Sequence, residues 1–507
     1  MRKMKLIGVV ASGSTTTYAP LIVYEEAEKY AKEEQLIIID DSWRNIKFLG
    51  ILRNVKRYEP FLSVYRRTSF VDNPSLVESG TLPHTGAYIS IIGTFKDSRL
   101  ESVELPPNPG SKVYVVESKE DLKVNLGKGL VVGVHKYSGV EIPLTPESIP
   151  FHVAVVGATG TGKSRLVKAL IDEILSKTEY KVIVFDHAGV DYAPYYRNYV
   201  VQASKIVLDV SVISDLILER TGLDRRTYEQ YILLSTLWYA FDKVFPSLSE
   251  EEIEKLGVAE LKKSFTHNVL SKLVGLINYG ELTRLMAKYP IEWRSSEYRN
   301  YALKVIDILK GRESAKVRLG ISLDVRLGEG FFKSLSRRNV LPSDIVNLAF
   351  KQKLVVIDLS MEDSIVKKYV VSTVINEVWK RVEEKQEPVN IVAVVDEAHN
   401  YACRYCGEPH KAITRTSREG RKWGFGLVLA TQRAIDIDPE IRGNINTWFF
   451  SKLQTPSDFN EISAFMNLAG ISESSLAILE KREFYVAGLM NPLKIPVLIK
   501  VKEVPSP

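Results

Sequence analysis

The sequence predicts an α/β protein: a parallel sheet covered by helices on both faces, with a small β-rich domain ahead of it and a helical insertion within it. Three observations lead there. Wholly apolar runs recur between helical stretches, at Val153–Val156, Val182–Phe185, Leu354–Ile357, Ile391–Val395 and Leu427–Ala430. Strands apolar at every position are buried on both faces, as parallel strands are. The first run leads through a glycine-rich turn into Leu166, Leu170 and Ile174 at spacing four, with Val167 and Ile171 beside them, which is a helix with one apolar face. Residues 1–105 instead alternate short strand-like runs with turn residues.

The elements follow in order. Leu6–Val10, Leu36–Ile39 and Tyr88–Ile92 read as strands of a small N-terminal β-barrel over 1–105. Leu105-Pro106-Pro107-Asn108-Pro109-Gly110 cannot continue a strand or helix, so it is expected to be a linker opening a connecting region at 106–150. The sheet-and-helix core is expected at 151–204 and 346–490. Residues 205–345 show helical periodicity and many charges and are expected to be the insertion. A tail is expected at 491–507.

Composition bounds the class. With 45% hydrophobic and 26% charged residues in 507, the chain is an ordinary globular one, long enough for more than one core. The net charge of +6 permits a nucleic-acid partner without requiring one. No apolar run approaches the ~18 residues of a membrane helix. Leu6–Ala11, behind the basic start, is too short for a signal peptide, so a cytoplasmic place is expected. Two cysteines exclude a disulfide scaffold.

Gly157-Ala158-Thr159-Gly160-Thr161-Gly162-Lys163-Ser164 has the spacing of a phosphate-binding loop. Glycines let backbone N–H groups turn toward the phosphates. Lys163 is expected to reach the β- and γ-phosphates, the Ser164 hydroxyl to ligate Mg²⁺, and Arg165 to flank the nucleotide. The helix behind the loop adds its positive end. ATP with Mg²⁺ is the expected cofactor.

Such a site also needs an acid at a neighbouring strand end. Asp186, Asp358 and Asp396 all qualify, but only Asp396 is followed by a second acid, Glu397. Asp396 is expected to hold Mg²⁺ and Glu397 to act as general base. Asp186 keeps open a small-molecule kinase, and Asp191 is a candidate auxiliary acid. Downstream, Gln432 ends the last apolar run, where an amide can sense the γ-phosphate. Arg418 and Arg421 are candidates for an arginine finger acting on a neighbouring subunit, against the plainer reading of a solvated basic helix.

These residues resemble the HerA–FtsK superfamily of RecA-like ring ATPases, and HerA most closely. The matching pieces are GATGTGKS at 157–164, VVDEAHNY at 394–401, SREGRKWG at 417–424 and LATQR at 429–433. The resemblance implies a homohexameric, ATP-driven translocase or helicase on double-stranded DNA, working with a NurA-like nuclease in DNA end processing. It places the trans-acting arginine at Arg418 or Arg421, with Arg421 preferred. The loop DHAGVDY at 186–192 departs from the family's usual DPHGEY, as does a cysteine pair behind Glu397.

Cys403 and Cys406 lie between His399 and His410. The pattern offers four Zn²⁺ ligands, a disulfide, or two free thiols. Two loops combine bases with aromatics as candidate DNA contacts, 192–199 and 404–411. Arg53, Lys56, Arg57, Arg66 and Arg67 make the N-terminal domain basic. A ring ATPase moving peptide or nucleoprotein, and a nucleotide-gated DNA clamp, are the alternatives to a DNA motor.

Overall fold

The computed structural model describes residues 4–59, 62, 72, 84–96, 99–122, 124–256 and 277–504. The chain falls into two compact units. One holds residues 1–180, 397–399 and 416–506; the other holds 181–396 and 400–415.

The first unit begins with seven strands: β1 (Lys5–Val10), β2 (Tyr18–Val23), β3 (Leu36–Asp41), β4 (Ile46–Tyr58), β5 (His84–Lys96), β6 (Arg99–Glu101) and β7 (Lys112–Val115). They pair antiparallel in the order β2-β1-β7-β3-β4-β5, and β5 pairs back onto β2. The result is the expected closed barrel, with β6 appended to β5. Closure removes open strand edges. The interior is filled by Ile7, Leu21, Ile37, Ile39, Phe48, Leu52, Ile89 and Val113. At Gly50, a Cβ would stand 2.5 Å from the Ile89 side chain, so the β4–β5 contact needs glycine there.

The proline-rich segment at 105–110 is not an interdomain linker. It carries the chain from β6 to β7 inside the barrel, because β7 still has to fill the gap between β1 and β3. The barrel therefore extends past residue 105.

Ten further strands follow: β8 (Gly133–His135), β9 (Val153–Val156), β10 (Lys181–Asp186), β11 (Val200–Gln202), β12 (Leu354–Asp358), β13 (Ile391–Val395), β14 (Phe425–Thr431), β15 (Thr447–Phe450), β16 (Glu483–Gly488) and β17 (Val497–Val501). The first unit contains β14, β9 and β15 in parallel, then β16, β17 and β8 antiparallel. The expected C-terminal tail thus contains a strand, β17, which pairs with β16 and β8. Helix α1 (Lys163–Lys177) follows β9 and buries Leu166, Leu170 and Ile174.

Arg53 ties the barrel to this sheet. Its side chain is 1% exposed, donates to the carbonyls of Pro496 (2.7 Å) and Ala469 (3.2 Å), and pairs with buried Glu34. Read from sequence as part of a basic surface, it is a buried clamp. Its neighbour Arg57 pairs with Glu28 at the surface, and Arg66 and Arg67 lie outside the described residues. His135 on β8 is also buried. It bonds Ser138 on one ring nitrogen and the Glu34 carbonyl on the other (2.8 Å).

In the second unit, β11, β12, β10 and β13 are all parallel. Between β11 and β12 the described residues are helical, led by α2 (Val210–Thr221) and α3 (Arg225–Val244). Asp209 and Asp224 cap these two helices by accepting N–H bonds from Ser211 and Thr227. Tyr239, Trp293, Tyr298 and Phe332 build the insertion's own aromatic core. No helix among the described residues is long and apolar enough to cross a membrane.

Candidate nucleotide site

The phosphate loop leaves β9 at Gly157 and enters α1 at Lys163. Gly160 (φ 82°) and Gly162 (φ 104°) occupy the left-handed region that favours glycine. Lys163 Nζ donates to the carbonyls of Gly157 (2.8 Å) and Ala158 (3.3 Å), which keeps the ammonium within the curve of its own loop. The Thr161 hydroxyl closes the turn onto Ala158 (2.8 Å). Ser164 and Arg165 stand in the first turn of α1.

β14 runs parallel to β9 with Thr431 opposite Val156, so Gln432 emerges beside the loop. Its side-chain oxygen accepts from the Thr159 hydroxyl (3.1 Å) and from Gln454 (3.4 Å). Its amide N–H donates to Glu397 Oε1 at 3.4 Å. The other Glu397 oxygen lies 3.4 Å from His399 Nδ1, which also lies 3.4 Å from the Thr431 hydroxyl. Glu397 has a positive φ of 46°, a conformation costly for a non-glycine residue. The structure therefore joins the loop, Gln432 and Glu397 by hydrogen bonds.

Arg418 pairs with Glu440 at 3.0 Å, and the Arg421 guanidinium lies 4.2 Å from the centre of the Phe151 ring. Among the described residues neither bonds its own phosphate loop. His152, which the sequence did not single out, braces this segment. Its Nδ1 accepts the Leu427 N–H (3.2 Å), and its Nε2–H donates to the Ser417 carbonyl (3.1 Å). Burial pushes this imidazole down to about 4. A lone histidine before a strand carries no sequence signal for that role.

The second unit decides among the three strand-end acids. The register sets Asp186 opposite Asp358 and Phe185 opposite Val395, so Asp358, Asp186 and Asp396 come at the C-terminal ends of adjacent strands. Asp186 is fully buried and accepts N–H bonds from Gly189, Tyr192 and Ala193, each at 2.9 Å. Burial nonetheless raises its pKa. Asp186 thus organises the 186–193 loop, and the kinase assignment loses its metal acid. Asp358 accepts from Gln202 (3.1 Å) and the Ser360 N–H (2.9 Å), as a structural residue does. Asp396 remains. Its carboxylate is a hard oxygen donor, the kind Mg²⁺ takes.

Zinc does not fit. Cys403 and Cys406 form a disulfide, so neither offers a thiolate. His399 faces Glu397 and Thr431. The described residues contain no cluster of three or more metal-binding side chains. The first candidate DNA loop also changes character: Tyr192 and Tyr196 are buried, which leaves Arg197 and Tyr199 outward. In the second loop Arg404 and Tyr405 are exposed.

A family model described as "Helicase HerA, central domain" matches residues 130–378. The DNA double-strand break repair helicase HerA of Saccharolobus solfataricus is 23% identical over 539 residues, covering 98% of this chain and 92% of its own. That of Pyrococcus furiosus is 26% identical over 497 residues, covering 89% and 84%. Among solved structures, VirB4 of Thermoanaerobacter pseudethanolicus is 19% identical and covers 75% of this chain and 98% of its own, at a TM-score of 0.44.

Proposed function

We propose that this HerA-like chain is an ATP hydrolase that drives itself along double-stranded DNA as a homohexamer. The observation that carries this reading is the hydrogen-bonded line from Thr159 through Gln432 to Glu397. A phosphate loop wired to a strand-end amide and a carboxylate is what a motor needs to couple γ-phosphate loss to movement.

The residues divide the work. The backbone N–H groups of 158–164 and the Lys163 ammonium hold the phosphates. Ser164 and Asp396 would hold Mg²⁺, which would supply charge neutralisation to the phosphates. Glu397 takes a proton from the attacking water, with Gln432 and His399 fixing its carboxylate. Arg418 or Arg421 completes the site of the next subunit in the ring. Linear duplex ends and a NurA-like nuclease are the partners this reading implies.

The test is ATP turnover with and without linear duplex DNA, on protein sized by light scattering. Hexamers stimulated by duplex, and silent in Glu397→Gln, are expected. Hexamers whose turnover ignores DNA would favour transport of peptide or nucleoprotein. A monomer in the presence of ATP and DNA would end the motor reading.

A further inference from the structure

Cys403 and Cys406 are joined twice. Their sulfurs form a disulfide with the Cα atoms 5.2 Å apart, and Cys406 N–H donates to the Cys403 carbonyl at 3.0 Å. The result is a β-turn whose two ends are covalently closed and whose corner residues are Arg404 and Tyr405. The base of the turn is rooted in the unit's interior: Tyr401 is 1% exposed, Ala402 is fully buried and Cys406 is buried. The Tyr401 hydroxyl is tied to His187 Nδ1 at 2.8 Å.

The corners are the opposite. Tyr405 is 88% exposed, and Arg404 is exposed with no carboxylate partner among the described residues. Other arginines of this stretch are engaged: Arg415 pairs with Glu383, Arg418 with Glu440 and Arg433 with Asp436, and Arg421 lies against the Phe151 ring. An exposed tyrosine alone is unremarked on any surface. An unneutralised guanidinium beside it, on a turn that cannot unfold, is a different object. Its backbone is already closed, so binding has only the two side chains left to order.

We propose that the stapled turn Cys403–Cys406 is a contact for the phosphate backbone of duplex DNA. The Arg404 guanidinium pairs with a phosphate, for which its planar fork is shaped. Tyr405 lays its ring along the adjoining sugar and donates its hydroxyl to a phosphate oxygen. Such contacts position a duplex without reading its sequence, as a translocating protein requires. The segment from Asp396 to the turn is short, so load on the turn reaches the metal-binding strand end through few bonds. This inference rests on the DNA-motor reading and specifies one of its contacts.

The test uses full-length protein without reducing agent, as wild type, Arg404→Ala/Tyr405→Ala and Cys403→Ser/Cys406→Ser. Binding to a fluorescein-labelled linear duplex is followed by anisotropy over a salt series, alongside basal ATP turnover and light scattering. In the first variant affinity is expected to fall about tenfold and the log–log salt slope by about one, with basal turnover and particle size unchanged. The serine pair keeps both contact residues and loses only their ordering, an expected loss of about threefold. Unchanged duplex affinity in Arg404→Ala/Tyr405→Ala, beside a wild type that binds, overturns the turn's role and leaves the motor standing. A change in particle size would make the turn a subunit contact and also overturn it. A wild type that does not bind duplex removes the motor reading itself.

Discussion

Gln432 bridges two parts of the site: its carbonyl oxygen takes the Thr159 hydroxyl at 3.1 Å while its amide nitrogen donates to Glu397 at 3.4 Å. A single planar amide thus links the phosphate loop to the Glu397 carboxylate, the proposed general base. Any group that draws Thr159 or Gln432 toward a γ-phosphate changes the orientation of Glu397.

Glu397→Gln is therefore expected to retain ATP binding and lose turnover by about 100-fold or more, the usual contribution of a positioned base. Gln432→Ala keeps the base but frees it, and is expected to lower DNA-stimulated turnover more than basal turnover. Fluorescent-nucleotide binding and steady-state hydrolysis separate the two. Equal turnover in Glu397→Gln and wild type would remove Glu397 from the chemistry.

The two strand-end acids should fail differently. Asp186 accepts three main-chain N–H bonds, so Asp186→Asn gives up charge-assisted bonds in a buried loop, a stability loss of about 2 kcal/mol or more. Asp396→Asn is expected to leave the melting temperature nearly unchanged while lowering turnover and raising the Mg²⁺ concentration it needs. Thermal melts and Mg²⁺ titrations read the contrast. The reverse pattern would exchange their roles.

Arg53 and Glu34, both in the barrel, form a buried pair, and Arg53 also donates to the Ala469 and Pro496 carbonyls beside the sheet. Burial lowers the Arg53 guanidinium to about 10, which still leaves it charged at neutral pH. Arg53→Ala strands the Glu34 carboxylate and is expected to cost about 3–5 kcal/mol. Arg53→Met combined with Glu34→Gln should recover much of that in urea unfolding. No recovery would mean the carbonyl bonds to Ala469 and Pro496 matter more than the charge.

Two buried histidines predict acid sensitivity. Burial holds His152 at about 4 and His135 at about 3, both below the usual 6.5. Depressed bases give stability that is complete above the unfolded value and is lost as pH falls below 6.5 toward the folded values. His152 alone accounts for about 3 kcal/mol of that loss. His152→Gln, which keeps a donor for Ser417, should flatten the fall between pH 6.5 and 4 in unfolding curves. An identical pH profile in the variant would assign the effect elsewhere.

The arginines can be assigned by mixing. If Arg421 acts on the neighbouring subunit, Arg421→Ala protein and Lys163→Ala protein, each inactive alone, should regain turnover when mixed before assembly. Arg418→Ala is expected to retain more activity, since its guanidinium is already held by Glu440. Absence of rescue for both arginines would argue against a shared site.

What the sequence determined by itself was local and periodic. The run of strand, glycine loop and amphipathic helix around 153–177 fixes the phosphate cradle, because backbone conformation there follows from glycine placement and apolar spacing. The acid pair 396–397 and the apolar strands are legible for the same reason. Tertiary structure decided everything that depends on which groups meet. Asp186, Asp358 and Asp396 look alike in sequence; three main-chain N–H groups, donated from residues folded back over the strand end, remove Asp186 from metal chemistry. Arg53 reads as a surface base until the carbonyls of Ala469 and Pro496, more than four hundred positions away, close over it. The proline stretch at 105–110 ends a domain by local rules, yet the barrel's seam still needs β7. The cysteine pattern allowed metal, disulfide or thiols; the 5.2 Å between Cα atoms and the turn that joins them are properties of the folded loop. Hydrogen-bond partners and burial are set by contacts between distant segments, and no local pattern encodes them.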